Sequence, residues 1–253
     1  MFRVWFGELH RPTLDADLLG HVGPEPEAVE QVVRELLATN VPDDVPDDGP
    51  DDGLEFDLES VRAAPIRGGQ EYPGVRVKCE ARLGTARVPV QLDIGFGDVV
   101  VPSPITTTLP ALLDHDPPKL EVYTPESLVA EKLHALVVLG IANSRMKDFF
   151  DLLEVSKRFE IRGEILAEAI RATFDRRATP IPETVPTGLT ASFAADPGKR
   201  GQWIAFVGRI GAEAPLDLDE VVAALSQFLL PPMGAAREDR VMKENWSNES
   251  GWT

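Results

Sequence analysis

The chain has 253 residues, 43% of them hydrophobic, and carries 42 acidic against 25 basic residues, for a formal charge of −17. That balance argues against a generally basic nucleic-acid-binding surface, which needs Lys and Arg to neutralise phosphates, but it leaves room for a local basic patch. The single cysteine, Cys79, excludes an internal disulfide and a multi-cysteine zinc site, and it fits a reducing cytoplasm.

The hydrophobic content is enough for a substantial core, as one large domain or two small ones. No apolar run is long enough to span a bilayer, so no membrane association is expected, and no signal-peptide pattern opens the sequence. His10, His21, His115 and His134 are scattered without metal-ligand spacing. His134 reads as a helix-face residue rather than a ligand.

The sequence opens in apolar, aromatic text: Phe2, Val4, Trp5 and Phe6. His10 to Thr13 reads as a turn into a strand, Thr13 to Leu19. Side chains alternate faces along a strand, so Leu14, Ala16 and Leu18 would pack while Asp15 and Asp17 point the other way together. Their Cα atoms would lie roughly 6.5–7 Å apart, within reach of one metal ion. Mg²⁺ takes hard oxygen ligands of this kind, from one or two carboxylates plus substrate phosphates. The competing reading is an exposed strand edge or a turn. Arg11, beside the two acids, is either a structural ion-pair partner or a phosphate contact.

Pro26 to Leu37 has helical spacing, with Val29, Val32, Val33, Leu36 and Leu37 on one side. Residues 41–53 repeat Pro-Asp-Asp, cannot bury apolar surface and are expected as a mobile acidic loop. They lack the ligand spacing and terminal Glu of an EF-hand. Phe56 to Ala64, Gly74 to Leu83 and Ala86 to Phe96 then read as strands, the last two joined by a short hairpin link at Gly84-Thr85. Asp93 stands alone with Gln91 on the polar side of an apolar strand. A buried unpaired acid is costly, so Asp93 belongs at a rim or in a site.

Pro102 to Pro118 reads as a Pro- and Thr-rich connection with a domain boundary near it. Thr124-Pro125-Glu126 is a helix start, with Thr124 as N-cap, and Gly140 is the matching stop. Lys132 lies in the middle of that helix. Asn143 or Ser144 caps the next, Arg145 to about Arg158, whose start crowds Arg145, Lys147, Asp148 and Asp151. Spacings of three and four pair Arg145 with Asp148, and Lys147 with Asp151. Glu164–Asp175, Pro197–Ile210 and Leu218–Leu230 are amphipathic, and Pro231-Pro232 is expected to stop the last helix. The expected organisation is a sheet domain over 1–117, a helical domain over 118–232 and a disordered tail over 233–253, in which Trp246 and Trp252 have no visible partners.

Together, Asp15, Asp17, Asp93, Lys132 and the stretch from Arg145 to Asp151 are the parts that phosphoryl or nucleotidyl transfer needs. Carboxylates hold the metal or accept a proton, and Lys and Arg neutralise phosphate charge. The ordered motifs Leu14-Asp15-Ala16-Asp17-Leu18-Leu19-Gly20, Leu92-Asp93-Ile94-Gly95-Phe96-Gly97-Asp98, Tyr123-Thr124-Pro125-Glu126 with Ala130-Glu131-Lys132-Leu133, and Asn143 to Leu152 resemble the AbiEii/AbiGii nucleotidyltransferase toxin family. The resemblance implies an α+β, DNA-polymerase-β-like nucleotidyltransferase fold: a mixed sheet with flanking helices, followed by an all-helical C-terminal part. It implies a toxin of a type IV toxin–antitoxin or abortive-infection system, acting in the cytoplasm, with NTP as substrate, Mg²⁺ or Mn²⁺ as cofactor, an RNA or tRNA acceptor and a cognate antitoxin. By motif, Asp15 and Asp17 hold the metal, with Asp93 as third acid. Lys132 contacts nucleotide phosphates, with Arg11, Arg145 and Lys147 in support, and Asp148 is the catalytic acid of the last motif. Asp151 is either part of that motif or a structural partner of Lys147.

The sequence departs from the family at one place. A Gly-Gly or Gly-Ser pair precedes the acid pair in the family and cradles the triphosphate with backbone N–H groups. It is missing here, which reads as an N-terminal truncation or a misplaced start. Two competing readings follow: an inactive relative that keeps an antitoxin-binding role, and a small-molecule nucleotidyltransferase of the antibiotic-modifying type.

Overall fold

The computed structural model describes residues 5, 16–21, 23–39, 53–66, 74–97, 99–110, 117–211 and 217–253. The chain divides into two compact units, one of residues 13–98 and one of residues 1–12 with 99–253. The class is α+β, as the sequence implies, but the division differs from the expected 1–117 and 118–232. The first unit is an insertion between two parts of the second.

In the unit 13–98, four strands are ordered β1-β4-β3-β2: β1 (Ala16–Gly20), β2 (Leu54–Pro65), β3 (Gly74–Leu83) and β4 (Ala86–Phe96). β1 runs parallel to β4, and the other pairs are antiparallel. The β3–β4 turn is Gly84-Thr85, with Gly84 at φ 59°, a conformation that costs glycine nothing. Strand alternation puts Val75, Val77 and Cys79 of β3 and Ile94 and Phe96 of β4 into one core. Helix α1 (Pro26–Ala38) closes that face with Val29 and Val33. Gly20 ends β1 where a Cβ would run into the Phe96 ring.

The β2 ladder shifts register between Asp57 and Arg62, and polar side chains take up the backbone groups this frees. Ser60 Oγ accepts the Glu80 N–H at 2.8 Å and donates to Asp57 O at 2.6 Å. From α1, Glu30 accepts the Ala63 N–H at 2.9 Å, and Arg34 donates to Leu58 O at 3.2 Å. That backbone hydrogen bond, then Arg34, hold the Glu30 carboxyl below its ordinary pKa.

In the second unit, the first strands are an antiparallel pair, β5 (Ile105–Thr108) and β6 (Lys119–Val122). The stretch 102–118 was expected as plain connection, and the strand pair corrects this. The helices follow: α2 (Pro125–Leu139), α3 (Met146–Arg158), α4 (Gly163–Arg176), α5 (Ala191–Ala195), α6 (Pro197–Ile210) and α7 (Leu218–Arg237). The caps read at Thr124 and Asp196 act as expected, whereas α3 starts at Met146 with Arg145 in the N-cap position and no side-chain cap, in place of the expected Asn143 or Ser144. Thr124 accepts the Ser127 N–H at 3.4 Å, and Asp196 accepts the Lys199 N–H at 2.9 Å. Asp217 and Glu220 form a capping box at the start of α7. One core runs through all of them, with Leu133, Phe149, Phe174, Phe193, Leu225 and Phe228 fully enclosed.

The C-terminal end corrects two expectations. Pro231-Pro232 does not stop α7, which continues to Arg237. Proline removes two backbone donors there, but Pro232, Met233, Ala235 and Ala236 are buried, and tertiary burial outweighs the local penalty. Residues 233–253 are not a disordered tail. Strand β8 (Asn245–Ser247) pairs with β9 (Gly251–Trp252) on one side and with β7 (Ile161–Arg162) on the other. Trp246 donates to Ser156 O at 2.7 Å and Trp252 to Phe228 O at 3.0 Å, so both indoles bury a ring and satisfy their N–H.

Candidate functional site

The sequence-predicted residues fall into two groups, one in each unit. On the sheet of 13–98, the parallel register places Asp17 directly beside Asp93. Paired residues of neighbouring strands share a face, and this is the face opposite the α1 core. Asp93 is also the register partner of Arg76 across the β3–β4 hairpin. The two form a bidentate pair, Arg76 Nε to Asp93 Oδ1 at 2.7 Å and Nη2 to Oδ2 at 2.6 Å. This is the fork geometry in which guanidinium and carboxylate bind most strongly. Asp17 is exposed, and Asp93 is only 13% exposed at its side chain. Asp15 and Arg11 lie outside the described residues, as does the acidic stretch 41–52.

Among the described residues, no group of three or more His, Cys, Asp or Glu side chains gathers as a metal cage. What the sheet offers a divalent cation is the hard carboxylate oxygens of Asp17 and Asp93 on one face, a donor set that fits Mg²⁺ or Mn²⁺. Both Asp93 oxygens already accept from Arg76, so a cation there has to share them.

In the other unit, the N-terminal end of α3 meets the middle of α2. Lys132 Nζ lies 2.6 Å from Asp148 Oδ1 and 2.9 Å from Asp151 Oδ2. Asp148 and Asp151 are enclosed, at 1% and 0% exposure, and Lys132 is 11% exposed. Arg145 Nε stands 2.7 Å from Asp148 Oδ2, outside hydrogen-bonding direction, with 42% of its side chain exposed. The cluster is charge-balanced: two cations against two carboxylates. Burial alone would lower the Lys132 pKa, but the charges of Asp148 and Asp151 and their hydrogen bonds outweigh it and raise it, so the ammonium stays charged at neutral pH.

The loop before α3 is held by Asn143, whose Oδ1 accepts the Arg145 N–H at 2.8 Å and whose carbonyl accepts from buried Lys199 Nζ at 2.9 Å. The i, i+3 pairing of Arg145 with Asp148 is as the spacing predicts. Asp151 faces Lys132, while Lys147 is exposed. His134, expected on a helix face, is buried. It bonds Thr179 Oγ1 through Nε2 at 2.9 Å and has Arg177 Nη1 3.3 Å from Nδ1. Sequence reasoning missed Arg76 as the partner of Asp93, Lys132 as the partner of Asp151, and Lys199 as the anchor of the 143–145 loop.

Among solved structures, the chain is similar to JHP933 from Helicobacter pylori. The identity is 13%, over 94% of this chain and 81% of that one, with a TM-score of 0.41. A candidate nucleotidyltransferase from H. pylori gives 12% identity over 94% and 83%, with a TM-score of 0.40. A search of curated proteins finds no match. The family model described as nucleotidyl transferase AbiEii toxin, type IV toxin–antitoxin system, matches residues 1–224, and the chain therefore belongs to that nucleotidyltransferase family.

Proposed function

We propose that the protein transfers a nucleotide from an NTP to an acceptor with the help of a divalent cation, Mg²⁺ or Mn²⁺. The observation that carries this reading is the register of Asp17 with Asp93 on the open face of the sheet. Asp15 is assigned to the same cation by its motif. A cation held there neutralises charge on the phosphates and lowers the barrier to attack by an acceptor hydroxyl. Lys132 is assigned to the nucleotide phosphates, and Asp148 and Asp151 fix its ammonium in one place. Asp148 is assigned as the acid of that motif, and Arg145, Lys147 and Arg11 as supporting phosphate contacts. The acceptor we assign is an RNA, with tRNA as the first to test, and the partner is a cognate antitoxin.

A second reading is favoured by the pairing itself. Asp93 is fully engaged by Arg76, and Lys132 is closed into a balanced buried cluster. A chain that no longer turns over would keep such pairs and serve only to bind its antitoxin.

The discriminating experiment incubates the protein with each labelled NTP, Mg²⁺ and total tRNA, beside Asp17→Ala and Lys132→Ala. Transfer by the wild type, reduced at least about a hundredfold in Asp17→Ala, supports the enzyme. That is the scale of losing one group that stabilises the transition state. Transfer unaffected by Asp17→Ala would overturn the site assignment. No transfer to tRNA or to other RNA, with all four NTPs, would favour the binding reading.

A further inference from the structure

The open face of the sheet carries more than the two acids. On β3, alternation places Arg76, Lys78, Glu80 and Arg82 on the same side as Asp93. Next to Arg76, the register puts Lys78 opposite Gln91 on β4 and opposite Arg62 on β2. Like charges directly opposite across a ladder are destabilising unless something offsets them. Among the described residues, neither Lys78 nor Arg62 ion-pairs with a carboxylate. Arg62 is turned onto backbone, donating to Glu59 O and Val61 O, and the nearby Glu80 lies 3.6 Å from Arg87. The chain therefore sets Arg62 and Lys78, in a protein of charge −17, in the row next to the one that runs from Arg76 through Asp93 to Asp17.

Arg76 is 39% exposed while it grips both oxygens of Asp93. Its fork matches phosphate as well as carboxylate. We propose that Arg76 and Lys78 form a phosphate-binding lane on the open face, in which Arg76 passes from Asp93 to the phosphates of the nucleotide and so frees the Asp93 carboxylate for the cation. This rests on the nucleotidyltransferase reading and extends it to residues outside the family motifs. Asp93 then does not compete for a cation until the nucleotide has arrived, because Arg76 leaves only when phosphate offers the same two contacts.

The test uses the full chain and two separate titrations. In the first, α,β-methylene analogues of the four NTPs bind without metal and are followed by calorimetry. Arg76→Gln weakens the best analogue about tenfold, the scale of one bidentate charge-assisted contact. Lys78→Gln weakens it about threefold, and Arg76→Lys, which keeps the charge without the fork, falls between wild type and Arg76→Gln. In the second, Mn²⁺ alone is titrated and followed by its free-ion paramagnetic resonance signal. Arg76→Gln binds Mn²⁺ more tightly than wild type, because Asp93 is already released.

Analogue affinity unchanged in both Arg76→Gln and Lys78→Gln overturns the lane. Mn²⁺ affinity lowered in Arg76→Gln overturns the exchange, since a merely structural Arg76 would weaken the metal site with the fold. Lys78 makes no ion pair among the described residues, so Lys78→Gln keeps the lane testable if the Arg76 variants fail to fold. Asp17→Asn separates the underlying reading. If it leaves Mn²⁺ affinity unchanged, the metal assignment fails, while metal-free analogue binding still decides the lane.

Discussion

Replacing Lys132 by methionine keeps the length of the side chain and removes its charge. Asp148 retains Arg145 at 2.7 Å, but Asp151, with no exposed surface, loses the ammonium 2.9 Å away. Breaking a buried pair by removing one partner costs about 3–5 kcal/mol, because the remaining charge stays buried without compensation. The sign with pH follows from Lys132: burial would lower its pKa, but Asp148 and Asp151 raise it, so its contribution is fully present below the ordinary lysine value and is the same at pH 7.5 and pH 5.

The assay is urea unfolding followed by tryptophan fluorescence at pH 7.5 and pH 5. Trp5, Trp203, Trp246 and Trp252 all belong to the unit of 1–12 and 99–253, so the signal reports the unit that holds the cluster. At unchanged m, the midpoint gives the difference directly. A loss below about 1 kcal/mol at both pH values would refute the reasoning: the cluster would then be hydrated rather than buried.

Glu30→Gln is expected to loosen the sheet unit, read as faster reaction of the buried Cys79 with a thiol reagent, since Cys79 is the only thiol and lies in that core. Because the Glu30 carboxyl is held below its ordinary pKa, its contribution is present above the unfolded value near 4.5 and is lost as the pH falls through the folded one. Wild-type Cys79 protection therefore drops on acidification, and Glu30→Gln removes that dependence. A wild type whose protection is flat from pH 6 to pH 3 would contradict this. Trp246→Ala is expected to cost about 3–5 kcal/mol in the same fluorescence assay, from the lost ring and the orphaned Ser156 carbonyl. Deletion of 245–253 that leaves stability unchanged would show the hairpin to be ornamental.

Much of the sheet face could be read before the structure. The alternation in β3 and β4 and the two-residue link at Gly84-Thr85 were visible. Counting outward from Leu83 and Ala86 brings Arg76 opposite Asp93, so that pair is legible from the hairpin link alone. The parallel pairing of β1 with β4 was not legible, since a crossover carries no local register signal. The Arg145–Asp148 contact followed from helical spacing, whereas Lys132 with Asp151 depends on how two helices pack. The C-terminal hairpin was read as tail because two short strands of polar text have no period of their own. Their order comes from Trp246 and Trp252 finding Phe228 on a distant helix.

The insertion of residues 13–98 into the other unit bears on synthesis. Trp5 packs edge-on against Phe159, ring centroids 5.4 Å apart. On the ribosome the inserted sheet is complete, and free to fold, before Phe159 is made, several seconds earlier at roughly 5–20 residues per second. Throughout that interval the N-terminal aromatic residue has no destination. The unit bearing Lys132, Asp148 and Asp151 takes in residues from both ends of the insertion, so its Trp5–Phe159 contact can form only after the whole inserted unit has been made.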